Sequence, residues 1–162
     1  MSAVLRSFPP VAGRGARVLV LGSMPGPEAL RRRQYYGFPG NHFWPLIAGV
    51  LGETDPVRYP ARLAMLRRRG VALWDVLASC TREGALDSAI AGARPNDVPG
   101  LLRRHPGIRA VFVNGRTAQA YLRRFHGGLG RPVFYLPSTS PANARGGVAA
   151  KRRSWRALRR WL

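Results

Sequence analysis

Four unbroken apolar runs recur along the chain, at residues 17–21 (RVLVL), 71–74 (VALW), 110–113 (AVFV) and 133–136 (VFYL). None alternates apolar with polar positions. A strand with one wet face would alternate, so these runs predict strands buried on both faces, as in a parallel sheet. Between them the spacing of apolar residues lengthens towards that of a helix. Helices are predicted over 43–51, with Asn41 as N-cap, and over 56–69, where Leu63 and Leu66 precede a run of three arginines. A helix over 98–105 follows the cap-like pair Asn96-Asp97, and helices over 117–125 and 148–162 complete the set. In the last of these, Trp155, Leu158 and Leu162 are expected to pack on the sheet with the arginines outward. Asp87, followed by Ser88, reads as a further cap.

Alternation of strand and helix predicts a three-layer α/β/α sandwich around a central four-stranded parallel sheet. No repeat or linker divides the chain, so residues 1–162 are expected to form one domain. In such sheets a ligand binds beyond the carboxyl ends of the strands. The loops at 22–40, 75–87, 114–115 and 137–147 are therefore expected to meet at one cleft.

Hydrophobic residues make up 46% of the chain and charged residues 21%, enough to fill a core and too few charges for disorder. The sign of the charge matters more. There are 27 Lys and Arg against 7 Asp and Glu, a net charge of +20, and Lys151 is the only lysine. GC-rich coding alone raises arginine, yet the physical result is the same: such a surface attracts polyanions, and nucleic acid is the default polyanion. One cysteine, Cys80, excludes an internal disulfide and any cysteine-built zinc or iron–sulfur site. His42, His105 and His126 lack metal-ligand spacing, so neither metal nor cofactor is expected. No apolar run is long enough for a membrane span and no cleavable leader is evident, so the chain reads as soluble and cytoplasmic.

The four loops hold the candidate chemistry. In the first, Gly22, Ser23, Pro25 and Gly26 form a tight turn without the GK[ST] of a phosphate cradle. Tyr35, Tyr36, Phe38, His42, Phe43 and Trp44 then crowd beside an arginine run. Packing explains Phe43 and Trp44; base stacking is the alternative for the tyrosines. The second loop opens with Asp75 at the end of a buried strand, where an acid must cap a helix, pair with arginine or accept from a ligand. Asn114-Gly115 in the third is explained by turn chemistry. The fourth, framed by Pro137 and Pro141 and ending in Arg145-Gly146-Gly147, is either a surface connection or a rigid edge that presses on a duplex.

Five strings carry a resemblance: LGSMPG at 21–26, QYYGFPGNHFW at 34–44, VALWDVLASCTREGALDSAI at 71–90, VFVNG at 111–115 and LPSTSPANA at 136–144. In this order and over nearly the whole chain they resemble the uracil-DNA glycosylase superfamily, specifically its hypoxanthine-DNA glycosylase branch. The resemblance implies a four-stranded parallel sheet flanked by helices. It also implies a monomeric DNA repair enzyme that flips a deaminated base, hypoxanthine or uracil, out of DNA and hydrolyses its N-glycosidic bond, leaving an abasic site without metal or cofactor.

Residue roles follow from the same resemblance. Asn41 matches the asparagine used for catalysis, at the water or the anomeric centre. Met24 stands where other branches place Asp or Asn, which excludes a carboxylate base there. Ser138 stands at the position of the second motif's His or Asn and is a weaker donor, so modest rates are implied. Tyr36 is the stacking platform. Asp75 stands where relatives read the base with Asn, and a carboxylate accepts from the ring N–H that uracil and hypoxanthine share. Ser23, Met24 and Asn114 join the base pocket, and Ser140, Ala142, Asn143 and Arg145 form the loop against the DNA backbone. Phe38 and Gly40 depart from the His and Arg expected in this string. The PGNHFW segment is also similar to the mismatch-directed uracil/thymine branch, which leaves uracil opposite guanine open. The alternative reading is a non-catalytic nucleic-acid-binding module on the same fold.

Overall fold

The structure is a computed structural model that describes residues 3–141 and 147–162. In chain order its elements are β1 (Val4–Arg6), β2 (Val18–Gly22), α1 (Pro27–Arg32), α2 (Phe43–Val50), α3 (Tyr59–Arg68), β3 (Val71–Asp75), β4 (Leu77–Thr81) and β5 (Ala91–Pro95). There follow α4 (Val98–Arg104), β6 (Ala110–Asn114), α5 (Arg116–Phe125), β7 (Val133–Leu136) and α6 (Gly147–Trp155). Two 3-10 turns, Asp87–Ala89 and Arg156–Trp161, complete the path.

The four apolar runs are the four strands of a parallel sheet in the order β3-β2-β6-β7. Every residue of β2, β3 and β6 is buried, which is why their sequences do not alternate. The chain steps from β2 to β3 on one side and then crosses to β6 on the other, so the topological switch point lies between β2 and β6. Right-handed crossovers put α1–α3 on one face and α4 and α5 on the other. The C-terminal α6 returns to the first face, where Trp155 meets Phe43 of α2 with ring centroids 6.0 Å apart. Trp155 and Leu158 are fully buried and Leu162 partly so, as an apolar stripe on this segment requires.

Several features depart from the sequence reading, among them the helix expected over 148–162, which ends at Trp155 and runs on as a 3-10 turn. The predicted loop at 75–87 contains β4, the central strand of a small antiparallel sheet in the order β1-β4-β5. Its partner β5 reads AGARP, and Gly, Arg and Pro disguise a strand that exists only because β4 offers it a ladder. At the sheet edge Pro95 is tolerated. The first loop contains α1, six residues long and too short to show a period, with Pro27 in its first turn and Glu28 bonded to Arg31 and Arg32. The helix predicted over 56–69 begins at Tyr59, because Asp55 Oδ1 accepts from Val57 N–H at 2.9 Å and holds the chain in a turn.

Candidate active site

Strand register brings the loops together. Gly22 lies opposite Asp75 across β2–β3, and Asn114 opposite Leu136 across β6–β7, so the carboxyl ends stand level. A Cβ on Gly22 would lie 2.5 Å from Asp75 Oδ1 and 2.9 Å from Tyr36 Oη. Only glycine leaves room for these two side chains to close over the end of β2.

Asp75 is 4% exposed, and its Oδ2 has no hydrogen-bond partner. It caps no helix and pairs with no arginine among the described residues. Burial disfavours its ionised form, and the charge of Asp87 adds to this; together they push its pKa up to about 7. Asp87 itself was expected to cap a helix. The 3-10 turn it opens has no side-chain cap, and its carboxylate instead receives the Ser23 hydroxyl at 3.4 Å. Ser23 is thereby turned towards the second loop.

Tyr36 is half-buried and sits at φ +53°, a backbone region that side chains disfavour. Its ring lies on that of Phe43, centroids 4.0 Å apart and planes inclined by 23°. Burial and the charge of Asp75 hold its phenol protonated well above the usual range. Its Oη accepts from Asn114 Nδ2 at 3.0 Å.

The resemblance places Asn114 at the base, and its carboxamide is engaged within the protein. Nδ2 donates to both Tyr36 Oη and Thr139 Oγ1, and Oδ1 accepts from Thr139 N–H, each at 3.0 Å. No amide proton is left for a ligand. Thr139, which the sequence did not single out, is fully buried, and its carbonyl accepts from His42 N–H at 3.1 Å. Asn114 and Thr139 thus lock the third and fourth loops to the turn that carries Asn41. The only sequence sign of this was a hydroxyl residue framed by two prolines. Met24 is buried, its side chain packed in the apolar core.

Asn41 lies one position before the N-cap, which is His42. Its Oδ1 accepts from Phe43 N–H at 2.9 Å, and its own N–H donates to the Phe38 carbonyl at 2.9 Å. The turn is fixed through the oxygen, while Nδ2 makes no hydrogen bond among the described residues. Next to it Phe38 is 49% exposed, and its ring lies against Gly40, where a Cβ would be 2.5 Å from Phe38 Cε1.

In the fourth loop, Ser138 Oγ accepts from Ser140 N–H at 3.1 Å. Gly115, at φ +97°, allows Ser138 to pack against the start of α5. Two buried contacts from α6 hold this loop from behind: Trp155 Nε1 donates to the Pro137 carbonyl at 2.9 Å, and Lys151 Nζ to the Ser140 carbonyl at 3.4 Å. Burial lowers the Lys151 pKa. Ala142, Asn143 and Arg145 lie outside the described residues. Among the described residues, no group of three or more His, Cys, Asp or Glu could hold a metal ion, and no helix is long and apolar enough to cross a membrane.

The chain is similar to known proteins over most of its length. The family model described as the uracil DNA glycosylase superfamily matches residues 9–159. A hypoxanthine DNA glycosylase of Methanosarcina acetivorans is 39% identical over 143 residues, covering 88% of this chain and 90% of its own. One of Methanosarcina barkeri is 34% identical over 151 residues, covering 93% and 94%. A solution NMR structure of a candidate uracil DNA glycosylase from Methanosarcina acetivorans superimposes with a TM-score of 0.82 at 36% identity, over 97% of this chain and 99% of the other. With the family model and relatives of 34–39% identity matching most of its length, the chain belongs to the uracil DNA glycosylase superfamily.

Proposed function

We propose that this protein is a monofunctional DNA glycosylase that removes deaminated bases, hypoxanthine or uracil, by hydrolysing the N-glycosidic bond and leaving an abasic site. The reading makes it a one-domain cytoplasmic monomer that needs neither metal nor cofactor. The observation that carries it is Asp75, a buried carboxylate with an unpartnered oxygen beside Tyr36 at the closed end of the strands. Deamination converts an acceptor nitrogen into a ring N–H: N1 in hypoxanthine, N3 in uracil. An ionised Asp75 accepts from that N–H and repels the lone pair that adenine or cytosine presents there. The two product bases share this edge, so one acceptor serves both.

The flipped base stacks on the ring face of Tyr36 that Phe43 leaves uncovered. As the glycosidic bond lengthens, the sugar becomes oxocarbenium-like and the base becomes anionic. Asn41, whose Oδ1 is held by the Phe43 N–H, offers Nδ2 as a donor to the oxygen of the water that it positions beside the anomeric centre, and Ser138 faces the departing base. With Met24 in place of an acid, no carboxylate base stands there, so positioning supplies the acceleration and modest rates are expected. Ser23 borders the pocket through its link to Asp87. Ser140, with Ala142, Asn143 and Arg145, holds the duplex backbone.

Alkaline strand cleavage of labelled duplexes tests the reading, each carrying one uracil, hypoxanthine, xanthine or normal base, with a chelator present. Cleavage at a lesion alone is expected. Salt-sensitive binding without cleavage at any lesion would favour a non-catalytic module.

A further inference from the structure

β7 is the outer strand of the parallel sheet, and its sequence VFYL suits an interior. Yet Val133, Phe134 and Tyr135 are 44%, 36% and 42% exposed. The ladder with β6 fixes which of its backbone groups are engaged. Val111 N–H donates to the Pro132 carbonyl and Gly115 N–H to the Leu136 carbonyl, both at 2.9 Å, so the even-numbered residues of β7 face β6. Strand geometry then turns the N–H and C=O of Val133 and Tyr135 away from the sheet, and no described strand pairs with them. Proteins blunt such edges with charge, proline or a covering element. Within VFYL there is neither charge nor proline.

Neither helical layer reaches over this edge. On one face a groove of about 360 Å³ opens between Arg109, Phe112, Phe134, Ala157, Arg160 and Trp161. On the other, a smaller groove of about 160 Å³ is bordered by Leu122, Arg123, His126, Leu129 and Val133. Arg109, Arg123 and Arg160 have no carboxylate partner among the described ion pairs.

We propose that the outer edge of β7 is a docking site for an extended segment of another protein, which adds as a fifth strand and carries a short apolar run, for the grooves on the two faces, flanked by acidic side chains. The unpaired groups of Val133 and Tyr135 supply its main-chain hydrogen bonds. Successive side chains of an added strand point to opposite faces, and here each face has its own apolar groove with an arginine border. Charge complementarity selects acidic neighbours, since the chain carries +20. Nucleic acid fits this edge less well. The ring of Phe134 is already stacked on Phe112 at 5.1 Å and lies 5.6 Å from Trp161, and a base cannot use the strand's N–H and C=O register. The edge runs alongside β7, not beyond its carboxyl end, so it stays free while the cleft holds DNA. The inference is independent of the glycosylase reading.

The test is selection of a displayed library of random twelve-residue peptides on the full chain, with lesion-free duplex DNA in excess. Enriched peptides are expected to carry a short apolar run flanked by acidic residues. A synthetic peptide of the enriched sequence is then titrated by fluorescence anisotropy. Tyr135→Pro removes an N–H that β6 does not use, and the double change Arg123→Glu with Arg160→Glu leaves the backbone untouched. Each is expected to weaken the peptide at least tenfold, with unchanged circular dichroism and unchanged lesion cleavage. The proposal falls if no sequence is enriched over an unrelated protein, if binding ignores the charge reversals, or if excess DNA displaces the peptide. It also falls if the native chain sediments as a dimer that Tyr135→Pro dissociates, because the edge then serves a second copy.

Discussion

An exposed aspartate ionises near 3.8, whereas burial and the charge of Asp87 move Asp75 up to about 7. An acid whose pKa is raised by folding is held most favourably when protonated. That contribution is whole below the unfolded value and is lost as pH rises through the folded one. Asn at this position is neutral throughout. Asp75→Asn is therefore expected to raise the melting temperature at pH 8, by the equivalent of a few kcal/mol at about 1.4 kcal/mol per pH unit, and to change it little at pH 4. Calorimetry at the two values measures this. The same change offers a donor as well as an acceptor, so cleavage at hypoxanthine relative to adenine should fall; an unaltered ratio would remove Asp75 from base reading. Asn41 separates in a similar way. Asn41→Ser keeps an oxygen for the Phe43 N–H and deletes the amide. Loss of cleavage with duplex affinity within about threefold is expected, since phosphate contacts dominate binding. A normal rate would assign Asn41 to the turn alone.

Three loops reach the site from different elements, and the Asn114 carboxamide at the end of β6 is what ties them. Asn114→Leu leaves the Thr139 N–H buried without its acceptor and frees the Tyr36 phenol, at a cost of about 1–3 kcal/mol for each such group. Thr139→Val removes only the hydroxyl and keeps the backbone bond, so its cost is expected near 1 kcal/mol. The two variants should therefore rank in that order by denaturant midpoint, and lesion binding should follow the same rank. The sequence disclosed the large sheet because parallel strands buried on both faces leave unbroken apolar runs. β5, with its Gly, Arg and Pro, left no such trace, since pairing with β4 rather than propensity makes it a strand. Asp75 was legible as an anomaly, an acid where only apolar residues belong. The clamp was not legible, because Asn114 and Thr139 lie 25 residues apart and only the β6–β7 register brings them together. Sequence places Asn114 at the mouth of the site, and only the fold shows its amide engaged.

Over the whole molecule, 7 carboxylates cannot neutralise 27 cations. The described ion pairs use Glu28, Glu53, Asp55 and Asp97. Of the three remaining acids, Asp75 is buried, Asp87 accepts from Ser23 and Glu83 is exposed. Most arginines therefore face solvent without a local anion, and the work of gathering counterions falls to whatever polyanion the surface meets. On DNA this is read as salt dependence. Each phosphate neutralised releases condensed counterions and adds about −0.9 to the slope of log affinity against log salt. A footprint of about five phosphates gives a slope of about −4.5, so raising salt from about 50 to 200 mM should weaken duplex binding by about 500-fold. In the proposed function, lesion recognition adds a flipped base held by stacking and one hydrogen bond, contacts that release no counterion. Affinity for lesion and normal duplex should then fall in parallel, their ratio nearly constant across the titration. An enzyme acting on free nucleosides would show no such slope. A ratio that collapsed with salt would mean that charge, and not the pocket around Asp75 and Tyr36, distinguishes the damaged base.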